Sequence, residues 1–278
     1  MSHFYERVTS KDISYEKEID KLKTLFFEEE DLRSKHFYST VTAHDIVDGV
    51  YFRSLMVSSN YIHFKDMWED LISGNESEFF INVCELFLSL QQQLCKYDTS
   101  LQYDERDLFN KLGEMSDIIK IDLDRLNLKY SFIKSEIGIV ATIFPKDALV
   151  EEVVGGSSSN DLTQLIIRYK SLRMEGNVKG KEELLSYMSK FVEPLLKDKA
   201  LFDENKRLFD NASFLLNNLN IRHNNIEINN TDFYNKTMKN REKWLDDLFL
   251  LILLVFKAKE ESRINSEVTA IKKSKCES

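Results

Sequence analysis

Apolar side chains recur every three or four residues through most of this chain, a spacing typical of helices with one buried face. The pattern predicts a surface helix over residues 14–35 and stronger helices over residues 76–96 and 104–126. A helix is also predicted over residues 40–60, where the segment VYFRSLMV fits a strand as well. Residues 128–144 change to a rough alternation rich in β-branched and aromatic side chains, so we expect a short β-hairpin there.

A short helix, ALVEEVV, is predicted to follow an Asp147 cap and to end at the small-residue stretch GGSSSN. This stretch, Gly155–Asn160, is where we expect the boundary between two domains. Beyond it, four helical patterns carry one apolar stripe each, and short connections join them. The first begins at an Asp161 cap and ends at Gly176. The others cover residues 179–199, 203–219 and 241–261.

The sequence therefore predicts a mostly α fold in two domains. A helical N-terminal domain with a short β-hairpin covers residues 1–156, a four-helix bundle covers residues 161–262, and a frayed polar tail covers residues 263–278. The low content of turn formers supports this class, because the 278 residues include two prolines and eight glycines.

The longest apolar run, Leu248–Phe256, has nine residues, whereas a membrane-spanning helix needs roughly twenty. Charged side chains flank the run, and it is predicted to be a buried core helix. The first residues, MSHFYERVTSKD, lack the apolar segment of a secretory signal. We therefore expect a cytoplasmic protein with no membrane partner.

The net charge of −9 is unevenly distributed. Residues 1–159 carry 17 basic and 29 acidic side chains, a net charge of −12, and residues 160–278 carry 21 and 18, a net charge of +3. The acidic first half disfavours non-specific contacts with nucleic acid, and we expect no DNA partner. The mildly basic second half permits an RNA contact, although a solvated surface of mixed charge is the simpler interpretation.

The sequence contains no metal-ligand cluster, no glycine loop that cradles phosphate and no nucleophile motif. Cys84 and Cys95 lie about three turns apart in one helical pattern, too far for a disulfide or a shared metal. Both are predicted to be buried thiols. We therefore predict no metal and no cofactor.

Candidate chemistry lies in Asn217–Asn225, NNLNIRHNN, where the apolar stripe of one helix ends. Arg222 is a permanent cation whose planar guanidinium group fits a phosphate. Histidine titrates near neutral pH, so His223 can transfer a proton. Together they are candidates to stabilise a phosphorane and to protonate a leaving oxygen. The neighbouring asparagines supply neutral donors and acceptors that hold the motif, a sugar or a base edge: Asn218, Asn224 and Asn225.

A structural interpretation of the same stretch stays open. Asparagine tolerates left-handed backbone, so these asparagines can serve to end the helix. Arg222 and His223 would then pair with acids of their own chain, such as Asp210, Asp246 or Asp247.

The order of elements in residues 161–262 resembles that of the HEPN domain: a helix, a Gly-Asn break, a helix with Glu193 near its end, a helix that ends in Arg and a polar residue, and an apolar helix after a loop. Three segments are similar to bacterial abortive-infection proteins of the AbiJ-like class: KYSFIKSEIGIVATIFPKDALVEEVV, YKSLRMEGNVKGKEELLSYMSKFVEPL and FLLNNLNIRHNN. Arg222 and His223 match the arginine and the following polar residue of the HEPN motif. Residues 227–229, Glu-Ile-Asn, stand where that family has a second histidine.

This resemblance implies a four-helix HEPN-like bundle that serves in phage defence, binds RNA and, in the catalytic members of the family, cleaves it without metal. It implies a homodimer through the C-terminal bundle, with an unidentified protein or ligand partner for the N-terminal domain. Arg222 would contact the scissile phosphate, and His223 would donate a proton. The alternative is a non-catalytic dimerisation or interaction module built on the same bundle.

Overall fold

The computed structural model describes residues 14–27, 76–94, 103–135, 138–221 and 237–276. The chain forms two compact units, residues 1–145 and residues 146–278. The described residues are mostly helical and include a two-stranded antiparallel sheet. The predicted fold class, mostly α with a short hairpin, is confirmed.

The first unit contains the helices α1 (Tyr15–Phe27), α2 (Glu76–Leu94) and α3 (Tyr103–Arg125). The last two lie where the helical patterns predict them. α1 is the described part of the helix predicted over residues 14–35, and the helix predicted over residues 40–60 lies outside the described residues. The three helices contact one another, and they carry large apolar side chains that are fully buried: Leu22, Phe80, Phe87, Met115 and Ile119.

A β-hairpin follows α3, as the alternating pattern predicts. β1 (Leu128–Ser135) pairs antiparallel with β2 (Gly138–Pro145). The register pairs Leu128 with Pro145 at one end and Ser135 with Gly138 at the other. Proline has no N–H to give to a ladder, which suits the last position of the second strand.

α2 covers the side of β2 that faces away from β1. The N–H of Ile143 donates to Glu85 Oε1 at 2.8 Å, and the N–H of Ala141 donates to Ser89 Oγ at 2.8 Å. The Ser89 hydroxyl donates in turn to the Glu85 carbonyl at 2.5 Å. Glu85 and Ser89 are buried, so they satisfy backbone donors that water does not reach. These two side chains of a helix take the place of a third strand.

The second unit is a helical bundle. Its helices are α4 (Ala148–Gly156), α5 (Asn160–Lys170), α6 (Val178–Leu196), α7 (Lys199–Asn218) and α8 (Arg241–Cys276). α8 packs against α4, α6 and α7, and α6 also contacts α5 and α7. The four helices predicted after the small-residue stretch are therefore α5 to α8.

The short helix α4 belongs to the second unit. Asp147 caps it as predicted, because its Oδ1 accepts a hydrogen bond from the N–H of Leu149 at 3.1 Å. α4 packs against α8, where Lys257 Nζ lies 2.8 Å from Glu152 Oε2. The chain therefore divides before α4, whereas the predicted first domain extends to residue 156.

α5 ends earlier than predicted. Its last residue is Lys170, and a 3₁₀ turn, Leu172–Met174, leads to Gly176, which has a φ of +76°. The hydroxyl and the N–H of Ser171 both donate to the Arg168 carbonyl, at 2.7 and 3.2 Å. These bonds tighten the last turn, so the helix stops at Ser171. Gly176, the predicted end of the helix, instead follows a separate turn.

α5 and α7 begin earlier than predicted. Ser159 caps α5 with its side chain, and the predicted cap, Asp161, lies within the first turn. Asp198 caps α7, where its Oδ1 accepts from the Ala200 N–H at 3.0 Å. The backbone of Asn205 is not helical, with φ −127° and ψ 30°, and this kink interrupts the apolar pattern near the predicted start at residue 203.

α8 continues far beyond its predicted end at residue 261. Within the predicted polar tail, residues 263–273 are exposed, and the helix continues as far as Cys276. Arg263 Nε lies 3.1 Å from both carboxylate oxygens of Glu260, and Arg263 Nη1 bonds Glu267. The expected fraying is wrong, because charged pairs one turn apart extend a helix that its buried half has already nucleated.

The longest apolar run of the chain lies in the first half of α8. Leu248, Ile252 and Val255 have no exposed surface, and the predicted buried core helix is confirmed. Within the ranges that the structure describes, no helix is both long enough and apolar enough to cross a membrane.

Candidate functional site

The predicted site residues lie at the end of α7 and directly after it. Asn218 is in the last turn of α7, where its Nδ2 donates to the Phe214 carbonyl at 2.8 Å. The other four lie outside the described residues: Arg222, His223, Asn224 and Asn225. The structure therefore positions one of the five residues, and it also describes the chain on either side of residues 222–236.

α7 ends in a regular C-terminal turn. The N–H of Ile221 donates to the Leu216 carbonyl at 3.3 Å, and the N–H of Asn220 donates to the Asn217 carbonyl at 3.2 Å. Asn220 has a φ of +59°. These features make up a Schellman motif in which asparagine replaces the usual glycine. The interpretation that an asparagine ends this helix is confirmed for Asn220, and the buried Ile221 anchors the chain that follows.

Arg241, the first residue of α8, holds this turn in place. Its Nη2 donates to the Leu219 carbonyl at 2.6 Å, and its Nε donates to Glu182 Oε1 of α6 at 2.7 Å. The last carbonyls of a helix have no partner within the helix, and Arg241 supplies one. Because Arg241 is 7% exposed, its bond to the Leu219 carbonyl is shielded from water, whereas Glu182 stays partly exposed. A charge-assisted contact thus joins the chain before residue 222 to the chain after residue 236.

A second charged cluster lies next to this contact. Lys181 Nζ of α6 lies 2.8 Å from Asp246 Oδ1 and 2.9 Å from Glu242 Oε1 of α8. The Tyr169 hydroxyl of α5 donates to Asp246 Oδ1 at 3.0 Å, and the Gly176 N–H donates to Glu242 Oε1 at 2.7 Å. These contacts link α5, the turn before α6, α6 and α8. We call Tyr169, Lys181, Glu242 and Asp246 the Lys181 cluster.

The charges of the Lys181 cluster compensate one another. Burial lowers the pKa of Lys181, but the hydrogen bonds to Asp246 and Glu242 outweigh burial and hold it above its ordinary value. Burial raises the pKa of Glu242, and the bond from Lys181 outweighs it and holds that pKa below its ordinary value. Burial and the charge of Asp246 raise the pKa of Tyr169 well above the usual tyrosine value. None of these shifts prepares a group to exchange a proton near neutral pH, so the cluster acts as a brace between helices.

Sequence reasoning does not single out Lys181 or Arg241, although the apolar pattern contains a signal. Lys181 precedes Leu184 and Met188 at helical spacing on the buried face of α6, and Arg241 precedes Leu245 in the same way on α8. A charged side chain on a buried stripe needs a partner. The acids paired with Lys181 lie 61 and 65 residues further along the chain, so a local pattern does not reveal them.

The first unit contains a different cluster, made of buried acids. Glu18 of α1 and Asp122 of α3 are 7% and 1% exposed, and the charge of Glu18 acts on the Asp122 carboxyl group. Two neighbouring carboxyl groups that are shielded from water resist ionising together, so the pKa of one of them rises. Burial and then the charge of Glu18 raise the pKa of Asp122 to about 6. Two cations flank the pair: Lys21 Nζ lies 2.7 Å from Glu18 Oε2, and Arg125 Nη1 lies 3.4 Å from Asp122 Oδ1.

Cys84 of α2 lies near this acid pair and is fully buried. Burial raises the pKa of its thiol well above the usual range, and the charges of Asp122 and Glu85 raise it further. The thiol is free, as predicted, and it stays protonated, so it is an inert core side chain and no nucleophile. Cys95 lies outside the described residues.

Neither a metal centre nor a relative identifies the site. In the described parts of the chain, no group of three or more His, Cys, Asp or Glu side chains is placed to hold a metal ion. Comparison of the chain with models of protein families, with curated proteins and with solved structures gives no match. The resemblance to the HEPN domain, and the function that it implies, therefore stays a prediction.

Proposed function

We propose that the second unit binds RNA and cleaves it without a metal ion, through Arg222 and His223. The observation that supports this proposal is the fixed C-terminal turn of α7, which both residues follow in the sequence. α7 ends in a Schellman motif, and Arg241 ties the Leu219 carbonyl to α6 and α8. Catalytic side chains need support that holds them close to their reactive geometry. A braced C-terminal turn that ends at Ile221, the residue before Arg222, favours such a role.

The two residues divide the chemistry between them. Arg222 neutralises the scissile phosphate and stabilises the extra negative charge of the phosphorane. RNA supplies its own nucleophile, the 2′-hydroxyl, so the reaction needs no metal-bound water. His223 protonates the leaving 5′-oxygen, and Glu227 takes the proton of the 2′-hydroxyl in place of the family's second histidine. Asn224 and Asn225 support the motif.

The proposal includes a homodimer through the C-terminal bundle, so that Arg222 and His223 of two chains meet over one RNA. It also includes a cytoplasmic role in phage defence, in which the first unit binds a partner that controls the second. Both follow from the resemblance of residues 161–262 to the HEPN domain. Light scattering tests the dimer, and a monomer over a wide range of concentration contradicts it.

The test of the nuclease compares the full chain with Arg222→Ala and His223→Ala on total RNA and tRNA in the presence of EDTA. Arg173→Ala, which removes an exposed arginine of the turn before α6, is the control. The wild type and the control are expected to cleave, and the other two variants to lose about 100-fold or more. Circular dichroism checks the folding of each variant. A wild type that neither cleaves RNA nor is toxic on expression contradicts the nuclease.

A second function, as a non-catalytic dimerisation or interaction module, is favoured by the far end of α8. Ile264, Val268 and Ile271 follow one another at spacings of four and three, and they are 46%, 42% and 57% exposed. Apolar side chains at this spacing form the contact stripe of paired helices. In that case Val268→Asp abolishes self-association or partner binding, whereas Arg222→Ala leaves both unchanged.

A further inference from the structure

The backbone of β1 is paired on one side only. The N–H groups of Ala141 and Ile143 in β2 donate to side chains of α2, so both residues lie at positions where the two strands do not bond each other. Their partners in the register, Phe132 and Tyr130, therefore also point their N–H and carbonyl groups away from β2. In the described parts of the chain, these groups have no hydrogen-bond partner. We call this unpaired side of the strand the β1 edge.

The β1 edge has the regular backbone that another strand needs. The 8 residues of β1 pair one-to-one with β2, so no bulge twists the strand away, and β1 contains no proline. Tyr130 and Phe132 are partly exposed, and their ring centroids lie 5.6 Å apart. Backbone donors and acceptors beside two accessible rings suit an extended strand that carries aromatic side chains at alternate positions. β1 is itself such a strand.

We propose that the β1 edge pairs antiparallel with the β1 edge of a second copy of this chain, with the twofold axis at Ser131. Tyr130 then lies opposite the partner's Phe132, and Phe132 lies opposite the partner's Tyr130. Each of these pairs exchanges two backbone hydrogen bonds and brings two aromatic rings together. The contact belongs to the first unit, so it does not depend on the proposed RNA cleavage by the second.

The charges of β1 are compatible with this register. Lys129 and Lys134 are the charged residues of the strand. Lys129 lies opposite the partner's Ile133, and Lys134 lies opposite the partner's Leu128, so no cation faces another. A parallel pairing in register would instead place each lysine beside the same lysine of the second copy, and like charges at neighbouring positions of two strands are destabilising. The charges therefore favour the antiparallel arrangement.

The other side of the hairpin limits the assembly to two copies. Glu85 and Ser89 of α2 accept the outward N–H groups of β2. The order across the dimer is therefore α2, β2 and β1 of one copy, followed by β1, β2 and α2 of the other. Both ends of this four-stranded sheet are occupied. A contact that uses the same residues twice closes as a twofold dimer, the commonest symmetry of protein oligomers.

Cross-linking of Ser131→Cys in the full chain tests the register. The two Cα atoms at the axis belong to a pair without hydrogen bonds, so they lie about 4.5 Å apart, within the range of a disulfide. Under a mild oxidant, most of the Ser131→Cys chain should become cross-linked dimer. Lys129→Cys is the control on the same face of the strand, because its two copies would lie about 13 Å apart. It should give no more cross-linked dimer than the unsubstituted chain.

Amide hydrogen exchange of the wild type, followed by NMR at increasing protein concentration, tests the backbone contacts. The N–H groups of Tyr130 and Phe132 should exchange fast in dilute protein and slow by about tenfold or more in concentrated protein. The N–H groups of Ser131 and Ile133 point towards β2 and should be protected at every concentration. This difference within one strand separates pairing of the β1 edge from association through the C-terminal bundle.

Either measurement can overturn the pairing of the β1 edge. Equal cross-linking of Ser131→Cys and Lys129→Cys contradicts the register. Exchange at Tyr130 and Phe132 that does not change with concentration, whether fast or slow throughout, shows that no second copy covers the edge. A chain that is dimeric in light scattering but lacks both signatures associates elsewhere, so the inference is wrong and the proposed dimer of the C-terminal bundle stands. A monomer at every concentration contradicts both dimers.

Discussion

The two units bury charged groups in opposite ways. The second unit buries cations: Lys181 and Arg241 are 6% and 7% exposed, and each bonds carboxylates of another helix. The first unit buries acids: Glu85 and Asp122 are 2% and 1% exposed. Glu85 accepts the backbone N–H of Ile143, and Asp122 lies within the influence of a second buried acid, Glu18.

The difference shows how each unit responds to pH. The Lys181 cluster keeps its charges through the neutral range, since the pKa of Lys181 is raised and that of Glu242 is lowered. Burial and the nearby charge of Glu18 raise the pKa of Asp122 to about 6, so this carboxyl group loses its proton just below neutral pH. We therefore expect the first unit to respond to pH more strongly than the second.

Glu85→Ala is expected to have the largest effect on stability. It leaves the Ile143 N–H without its acceptor and opens a cavity beside β2, so the free energy of unfolding of the first unit should fall by about 4 kcal/mol. Urea denaturation measures the change. Glu85→Gln keeps a carbonyl acceptor and should retain most of the stability. Glu78→Ala, an exposed position on the same helix, should change it by about 0.5 kcal/mol or less; an equal loss at both positions contradicts a special role for Glu85.

The stability of the first unit is expected to fall as the pH rises from about 4 to about 7. The pKa of Asp122 is about 6 in the folded state against an ordinary value of 3.8, so the folded chain binds more protons over this interval. The contribution of the acid pair is fully present below pH 3.8 and is lost as the pH rises through about 6. The loss amounts to about 3 kcal/mol, at about 1.4 kcal/mol per pKa unit.

Urea denaturation of the wild type and of Asp122→Asn over this pH range checks the acid pair. Asparagine does not ionise, so the variant loses no proton at this position, and its stability relative to the wild type should rise towards neutral pH. The difference between the two proteins isolates this pair from all other carboxyl groups. Parallel curves for the two proteins would show that the pKa of Asp122 is not raised on folding.

Lys181→Met should have a smaller effect, in the second unit. It leaves Glu242 and Asp246 without their cation, but the side chains of these acids are 35% and 49% exposed and keep contact with water. We therefore expect a loss of about 2 kcal/mol in the free energy of unfolding, less than for a fully buried pair. Lys243→Met is the control, because Lys243 pairs with Asp247 at the surface. Equal losses in the two variants contradict the brace.

The smallest effect is expected at Asn220. Its φ of +59° suits glycine and asparagine but strains other residues, so Asn220→Ala should lower the free energy of unfolding by about 1 kcal/mol. Asn220→Gly should leave it nearly unchanged. Thermal unfolding of the three proteins measures both values, and a stable alanine variant would mean that the turn relaxes to another conformation.

Most of the fold can be predicted from the sequence, because apolar spacing is regular over several turns in α2, α3 and the helices of the bundle. The end of α8 could not be predicted in this way. Residues 263–276 have no core to pack on, and their helix depends on continuity with the buried half and on pairs such as Arg263 with Glu260. The limits of α5 depend on the hydrogen bonds of single serines, Ser159 and Ser171.

The candidate site also contains residues that a sequence alone can indicate and residues that it cannot. Arg222 and His223 are proposed from a short stretch of consecutive residues, which is the kind of signal that a sequence alone offers. The role of Asn220 follows from the backbone preference of asparagine alone. Lys181 and Arg241 depend on acids that are between 59 and 65 residues away, and the spacing of such partners is fixed only when the helices pack.

Strand β2 is closed to recruitment of another strand at its outer edge. An incoming strand would need the N–H groups of Ala141 and Ile143, and both already donate to side chains of α2. Unpaired strand edges are the template on which sheets of separate molecules join, so this arrangement blocks one route to aggregation. Glu85 and Ser89 thus protect the chain from self-templated assembly at this edge, in addition to what they contribute to folding.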